Sequence, residues 1–251
     1  MLSLKQYPTF EATSGESKIK GRSIPESPSN ISGGYVFEMD YPSRGYDDHD
    51  SVVVTDSSIC YNIWSPKYSS YDETMYALNY MNRKEQEFRS DGIDKAIDIN
   101  SFVDYYLIQE LLANTDDASF YFYKEKDDDL LYAGPIWDFD LALYESIYEI
   151  YVDPAASIKS ISDTTIFHLL CDNPVFMSKV KERFKDYYYN ELERIYTDQI
   201  SEYSERVKNS YRMDFYRWNN TETSDRQIDF SREENVNSIC DFLCERNEAL
   251  Y

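Results

Sequence analysis

Glycine is scarce in this chain, 7 residues in 251, and the few present do not form the glycine-rich loop that wraps a nucleotide phosphate. Histidine is scarcer still. His49 and His168 stand apart, one in an acidic polar loop and one on an apolar helix, so a zinc hydrolase has no ligand set to build on. The four cysteines, Cys60, Cys171, Cys240 and Cys244, never show the C-x-x-C spacing of a structural zinc site. Cys240 and Cys244 are neighbours on one helix face without being a disulfide, while Cys171 and Cys240 sit among apolar residues and read as small core side chains. Neither a Gly-x-Ser-x-Gly elbow nor a Cys–His pairing occurs, which leaves nucleophilic hydrolysis unsupported. No apolar run approaches the length of a membrane span. Met1-Leu2-Ser3-Leu4-Lys5 is no signal peptide, so an exported parent would carry its leader upstream. Basic residues are outnumbered, 25 against 47 acidic, for a net charge of -22. That field repels nucleic acid and anionic membranes. Divalent cations or basic protein substrates fit its sign, and so does a merely soluble surface.

What the chain has instead is rings. Aromatic residues make up 16% of it, with 25 Tyr and 13 Phe, within a hydrophobic share of 42%. Its length is ample for a buried core, and the rings fill that core with hydroxyls reaching the rim. The same side chains also line carbohydrate-binding or peptide-binding surfaces. Residues 1–32, rich in Ser, Lys, Pro and Glu, read as a connector or truncated upstream segment, extended at Ser23–Pro28. The domain proper is expected over residues 33–251, with a helical tail from about residue 160.

Gly33-Gly34 precede a strand in which Tyr35, Phe37 and Met39 alternate with Val36, Glu38 and Asp40. Ser51–Thr55 and Ile59–Trp64 form a hairpin around Asp56-Ser57-Ser58. After Ser65-Pro66 the period changes to 3.6, predicting a helix from Asp72 to Phe88. A second helix, capped by Asp98 or Asn100, buries Phe102, Val103, Tyr106, Leu107 and Leu111 and closes on a left-handed Asn114. Glu110 faces inward there as a structural hydrogen-bonding group. Another hairpin pairs Phe120–Lys124 with Leu130–Ala133, with Asp127-Asp128-Asp129 as its solvated tip. Asn173-Pro174 opens a helix burying Phe176, Val180, Phe184 and Tyr187, and Ser231-Arg232-Glu233-Glu234 is the capping box of the last helix. The fold class is α+β, predominantly α, with small antiparallel strands in the first 140 residues.

Acidic residues stand at both ends of the second hairpin, Asp116 and Asp117 before it, Asp138 and Asp140 after it. Antiparallel partners lie about 5 Å apart, so a hairpin returns the chain to its starting point and brings Asp116 and Asp138 together. In extended chain Asp138 and Asp140 point the same way around Phe139, whose neighbour Trp137 reads as a core anchor for the loop. Carboxylates converging at the rim of a core stay ionised most cheaply around a cation, here a hard one such as magnesium or manganese with oxygen ligands only. Spacing alone leaves a solvated turn open, and equally the acid–base pair of a glycosidase or another carbohydrate-active module.

Ile99–Leu111, Asn114-Thr115-Asp116, Ser119–Lys124 and the run Ala133-Gly134-Pro135-Ile136-Trp137-Asp138-Phe139-Asp140 resemble the signature core of the CotH kinase-like family, the spore-coat protein H relatives of bacteria and some eukaryotes. Gly33–Glu38 and Ser65-Pro66 resemble the strands before that core, and Asn173–Phe176, Arg217-Trp218 and Arg246-Asn247 its helical tail. The resemblance implies the large-lobe-like portion of an atypical protein-kinase-like fold, using ATP and Mg2+ or Mn2+ to phosphorylate protein Ser or Thr. It implies Asp116 as the catalytic-loop Asp and Asp138 as the metal ligand, with Asp140 helping at the same metal and Asn114, Asp117 and Ser119 as further contributors. ATP use would require the small lobe, whose lysine and hinge precede Gly33 in the family. The chain departs from the pattern at Tyr121, where many kinase-like loops have a metal-binding Asn, at Trp64, where the family often has Lys, and at Tyr144, where it often has Gly. Those departures point to an alternative, a non-catalytic lobe that binds metal or a protein partner. For either, the resemblance implies an exported, cell-surface or spore-coat setting.

Overall fold

The computed structural model of the chain describes residues 18–19, 22–23, 31–40, 51–116, 118–139, 141–143, 153–155, 166–218 and 232–250. They belong to two units, one holding Met1–Tyr106, Asp116–Asp138 and Lys159–Val180, the other Leu107–Thr115, Phe139–Ile158 and Lys181–Tyr251. As the residue pattern predicts, the described chain is α+β and predominantly helical, with its strands all before residue 140.

In the first unit a short pair, β1 (Lys18–Ile19) and β2 (Arg22–Ser23), stands apart from a five-stranded antiparallel sheet. That sheet is built from β3 (Tyr35–Met39), β4 (Val52–Val54), β5 (Cys60–Ser65), β6 (Phe120–Lys124) and β7 (Leu131–Ala133), in the order β4-β5-β3-β6-β7. The alternation in β3 separates its two faces. Tyr35, Phe37 and Met39 point with Tyr61, Ile63, Phe122 and Leu131 to a covered side, where none is more than 2% exposed. Two helices close that side, α1 (Tyr71–Glu87) and α2 (Ile99–Leu111). Ring stacking sets the fit: Phe37 lies 6.3 Å from Tyr80, Tyr35 lies 5.5 Å from Tyr76, and Phe102 lies 5.6 Å from Phe122. Phe167, on α3 (Ile166–Cys171), touches Phe102, Tyr105, Phe120 and Phe122 and seals the cluster.

The caps follow local chemistry. Ser70 and Glu73 form a capping box at the start of α1. The Asp98 carboxylate accepts from Ser101 N at 2.8 Å at the start of α2. The expected left-handed closure at Asn114 falls one residue earlier, on Ala113 (φ 47°). Asn114 is held otherwise, its amide donating to Gln109 Oε1 at 2.9 Å. The hairpin tip is solvated as expected, with Asp129 59% exposed, and it is also pinned to a helix. Asp129 is clamped to α1 by Arg83 at 2.6 Å and by Lys84 at 3.1 Å, and the Arg83 hydrogen bond holds its carboxyl down to about 2. Lys84 has no solvent exposure, so without acidic partners its charge would be stranded, and the tip is drawn onto the helix.

The second unit contains α5 (Tyr189–Arg194), α6 (Ile200–Trp218) and α7 (Arg232–Leu250), while α4 (Pro174–Arg183) straddles the unit boundary. Asn173 caps α4 as expected, its carbonyl oxygen accepting from Val175 N and Phe176 N. Phe184 is buried, but Tyr187 is 49% exposed rather than inside. The physical cause is a π-helical segment at Phe184–Tyr188, which shifts the phase of the apolar stripe. Cys171 and Cys240 are half-buried rather than core, and Cys60 is the buried thiol. His168 lies at a half-buried rim position on α3. His49 and the expected cap Ser231 lie outside the described residues. At the centre of the second unit Arg246 is fully buried. Its guanidinium donates to the Glu110 carbonyl at 2.6 and 2.8 Å, to Glu110 Oε1 at 3.1 Å and to the Pro154 carbonyl at 2.9 Å. Glu110 is therefore the structural group that its inward position suggests.

Two measurements test these buried charges. Arg246→Met leaves the Glu110 carboxylate without its guanidinium and should cost about 3–5 kcal/mol of unfolding free energy in urea titration. Glu85, buried and accepting from Tyr61 Oη at 2.9 Å, is pushed up to about 7, chiefly by burial, with hydroxyls of Thr55, Ser57 and Tyr61 working the other way. The folded carboxyl keeps a proton that the unfolded chain loses near 4.5. Its contribution is therefore full below pH 4.5 and is lost as pH rises to about 7. Glu85→Gln should flatten that window and raise stability at pH 8 by on the order of 3 kcal/mol relative to the native chain.

Candidate functional site

The uncovered face of the sheet presents Val36 and Glu38 from β3, Asn62 and Trp64 from β5, Tyr121 and Tyr123 from β6 and Tyr132 from β7. Glu38 is its hub. Glu38 Oε2 accepts from Asn62 Nδ2 at 2.9 Å and from Trp64 Nε1 at 2.8 Å, while Oε1 accepts from Tyr121 Oη at 2.8 Å. The carboxylate is only 6% exposed, and these donors replace the water it has lost. Burial first, and then the Glu38 hydrogen bond, push the Tyr121 phenol far above its ordinary range, so it stays neutral and donates. The Tyr121 ring meets Trp64 at 6.1 Å and Trp137 at 6.0 Å, edge-on to the latter. Both indoles look outward, Trp64 at 48% and Trp137 at 58% exposure. Trp137 is thus not the core anchor its sequence context suggests. The chain leaves the ladder at Gly134, whose N–H makes a last bond to the Tyr121 carbonyl at 2.8 Å, and enters Pro135-Ile136-Trp137, where both Ile136 and Trp137 are exposed.

The hairpin at this edge of the sheet forms as expected, with Phe122 opposite Ala133 and Lys124 opposite Leu131. Its two feet emerge at the same end of the sheet, the one bearing Asp116 and Ser119, the other Asp138. Asp116 accepts from Ala118 N at 3.0 Å, the local turn of an aspartate two residues before the donor. Ser119 (φ 58°) and Asp138 (φ 53°) are left-handed, one on each foot. Elsewhere in this unit the same conformation occurs at Ser58 and Asp127, within hairpin turns where it is ordinary. At Asp138 it lies in an open segment, the kind of backbone outlier that marks functional positions. Asn114 is buried, with its amide engaged by Gln109. Asp117 and Asp140 lie outside the described residues.

No group of three or more His, Cys, Asp or Glu that could hold a metal occurs among the described residues. A preformed cage of the calcium type is not what this face offers. Magnesium asks for less: one or two carboxylates, with phosphate oxygens and water completing the shell. Asp116 and Asp138 supply hard oxygen donors of that type, so their chemistry fits an ion delivered with a nucleotide. Lysine is differently placed. Lys124, the sole lysine of the five-stranded sheet, is on the covered side. It is buried over Tyr76 and Tyr80, with its ammonium donating to the carbonyls of Ser32, Gly33 and Glu125. Glu38 is the residue that sequence reasoning missed. Alternation put it on a polar face, but its partners lie 24, 26 and 83 positions away. An acidic residue inside an otherwise apolar strand was the available signal.

These features define an α+β domain with one helix-covered sheet face, one carboxylate-and-indole face and an acidic hairpin at the sheet edge. Residues 32–250 match the family model described as CotH kinase protein, and the chain belongs to that family, a kinase-like one. No curated protein matches it, and no solved structure does. No helix among the described residues is long and apolar enough to cross a membrane.

The exit of the hairpin is itself testable. Gly134 has φ 131°, a conformation that side chains with a Cβ rarely adopt. Gly134→Ala should lower the unfolding free energy by about 1–3 kcal/mol, read from the urea midpoint, by straining the turn into the Asp138 segment.

Proposed function

We propose that this chain is an atypical protein kinase domain that moves a phosphoryl group from ATP to a protein Ser or Thr. The observation that carries the reading is the antiparallel hairpin with an aspartate on each foot, Asp138 in a left-handed backbone, in a chain of the CotH kinase family. Asp116 would orient the attacking hydroxyl and take its proton. Asp138, with Asp140 two residues on, would hold Mg2+ or Mn2+. When bound, that ion neutralises charge on the transferring phosphate, which is most of what phosphoryl transfer asks of an enzyme. Asn114, Asp117 and Ser119 are the further polar groups of the same loop. The partner on this reading is a protein bearing the acceptor hydroxyl, in an exported, cell-surface or spore-coat setting.

A second reading is favoured by the lysines and by Trp64. Lys124 is turned to the covered face, and Trp64 donates to Glu38 on the open one. A domain built so would bind metal or a protein partner as a coat or surface component without transferring phosphate.

Incubation of the whole chain with labelled ATP and Mn2+, with and without protein acceptors, separates the two. Label should appear on the native chain or acceptor. It should fall at least about 100-fold in Asp138→Ala and in Asp116→Asn, the size expected for a lost proton acceptor or charge clamp. Equal label in Asp138→Ala would remove its assigned role. Metal binding without any label would favour the non-catalytic reading.

A further inference from the structure

The Glu38 network reaches the Asp138 segment through one residue. Tyr121 donates its hydroxyl to Glu38 at 2.8 Å and sets its ring against Trp137 at 6.0 Å and 67°. Trp137 is covalently next to Asp138, whose backbone is left-handed. The hairpin ladder gives this segment no support of its own, since pairing ends at Gly134. Trp137 is also more than half exposed, so core packing does not fix it. Beyond Asp138 the chain is tied by Thr115, whose N–H and hydroxyl donate to the Leu141 carbonyl at 3.2 and 3.1 Å, while on the Trp137 side the Tyr121 ring is a contact with an anchored support. Its hydroxyl is tied to a carboxylate that is itself tied to Asn62 and Trp64 on a neighbouring strand.

We infer that Glu38 is a positioning residue for Asp138, acting through the Tyr121 hydroxyl and the Tyr121–Trp137 ring contact. The role rests on the metal reading of Asp138. It also accounts for Tyr121 standing where an amide ligand is expected, because the phenol serves the site from below by fixing a ring, and makes no demand on the metal. Glu38 touches neither substrate nor ion. Its carboxylate sets where Trp137 lies, and Trp137 sets the direction of the adjoining aspartate. An isosteric amide cannot do the same work. Glu38→Gln presents its oxygen to Asn62 and Trp64 and an N–H2 to Tyr121, so the phenol must accept where it donated and its bond to a charged carboxylate is lost.

The test uses the whole chain labelled with 5-fluorotryptophan, with the Trp137 resonance assigned by Trp137→Phe. Mn2+ affinity is measured by electron paramagnetic resonance, and circular dichroism reports folding. Glu38→Gln and Tyr121→Phe should each shift the Trp137 fluorine signal in the metal-free chain and weaken Mn2+ binding at least about fivefold. Trp64→Phe deletes one donor to Glu38 but keeps a ring beside Tyr121, and it should change the affinity less than about twofold. A purely structural Glu38 would lower the melting temperature and leave both readouts unmoved. If Glu38→Gln unfolds, Tyr121→Phe, which loses a single hydroxyl, carries the test alone. Native Mn2+ affinity in both variants overturns the positioning role while the proposed kinase reading stands. A native chain that binds no Mn2+ overturns the metal reading of Asp138 and this role with it.

Discussion

The pairing of β3 with β6 is the constraint on which the first unit depends. Residues Val36 to Met39 pair on one side with β5, and Tyr35 to Met39 on the other with β6, so two hairpins distant in sequence share one sheet. Closing a loop of that length costs conformational entropy that local contacts cannot repay. What repays it is the ring cluster on the covered side, where Phe37, Phe102, Phe122 and Phe167 are all at most 5% exposed. Once β6 is seated on β3, the place of Tyr121 beside Glu38 and the exit of the hairpin toward Asp138 both follow.

Buried charge recurs in both units, and each instance is tied into a network. Lys84 meets Glu87 and Asp129, Lys124 meets carbonyls and two tyrosine rings, Glu38 meets three donors, and Arg246 meets Glu110. Burying such groups is costly, and replacing a pair by apolar residues is often neutral or stabilising. Their value lies in register. A misplaced strand or helix would strand a charge, so these networks penalise alternatives to the native arrangement more than they deepen it. Glu38 applies that logic at the functional face, where a carboxylate aligns three strands through Asn62, Trp64 and Tyr121.

Local signals were legible. The helix expected over Asp72–Phe88 is Tyr71–Glu87, with its capping box at Ser70, and the hairpin and the Asn173 cap fall where turn chemistry and periodicity place them. The hairpin that carries Asp116 and Asp138 on its two feet was legible because a hairpin is a local object. Trp137 misled, since an aromatic in a run of apolar residues looks like core until the fold leaves it more than half exposed. The aspartate tip is solvated as its composition says, but its ion pairs with Arg83 and Lys84, from a helix 46 and 45 residues earlier, were not legible. Tyr187 failed through helix phase, which a π segment alters without any sign in residue type.

By itself the sequence determined the main helices and strands, the caps at Asp98 and Asn173, the acidic hairpin feet and the family, because each rests on spacing within a few residues or on a contiguous motif. Tertiary structure alone decided the strand order, the exposure of Trp64 and Trp137, the burial of Lys124 and Arg246, and the central place of Glu38. These depend on contacts between residues tens of positions apart. Whether a side chain meets water, a ring or an opposite charge there is settled by what the rest of the chain brings alongside it.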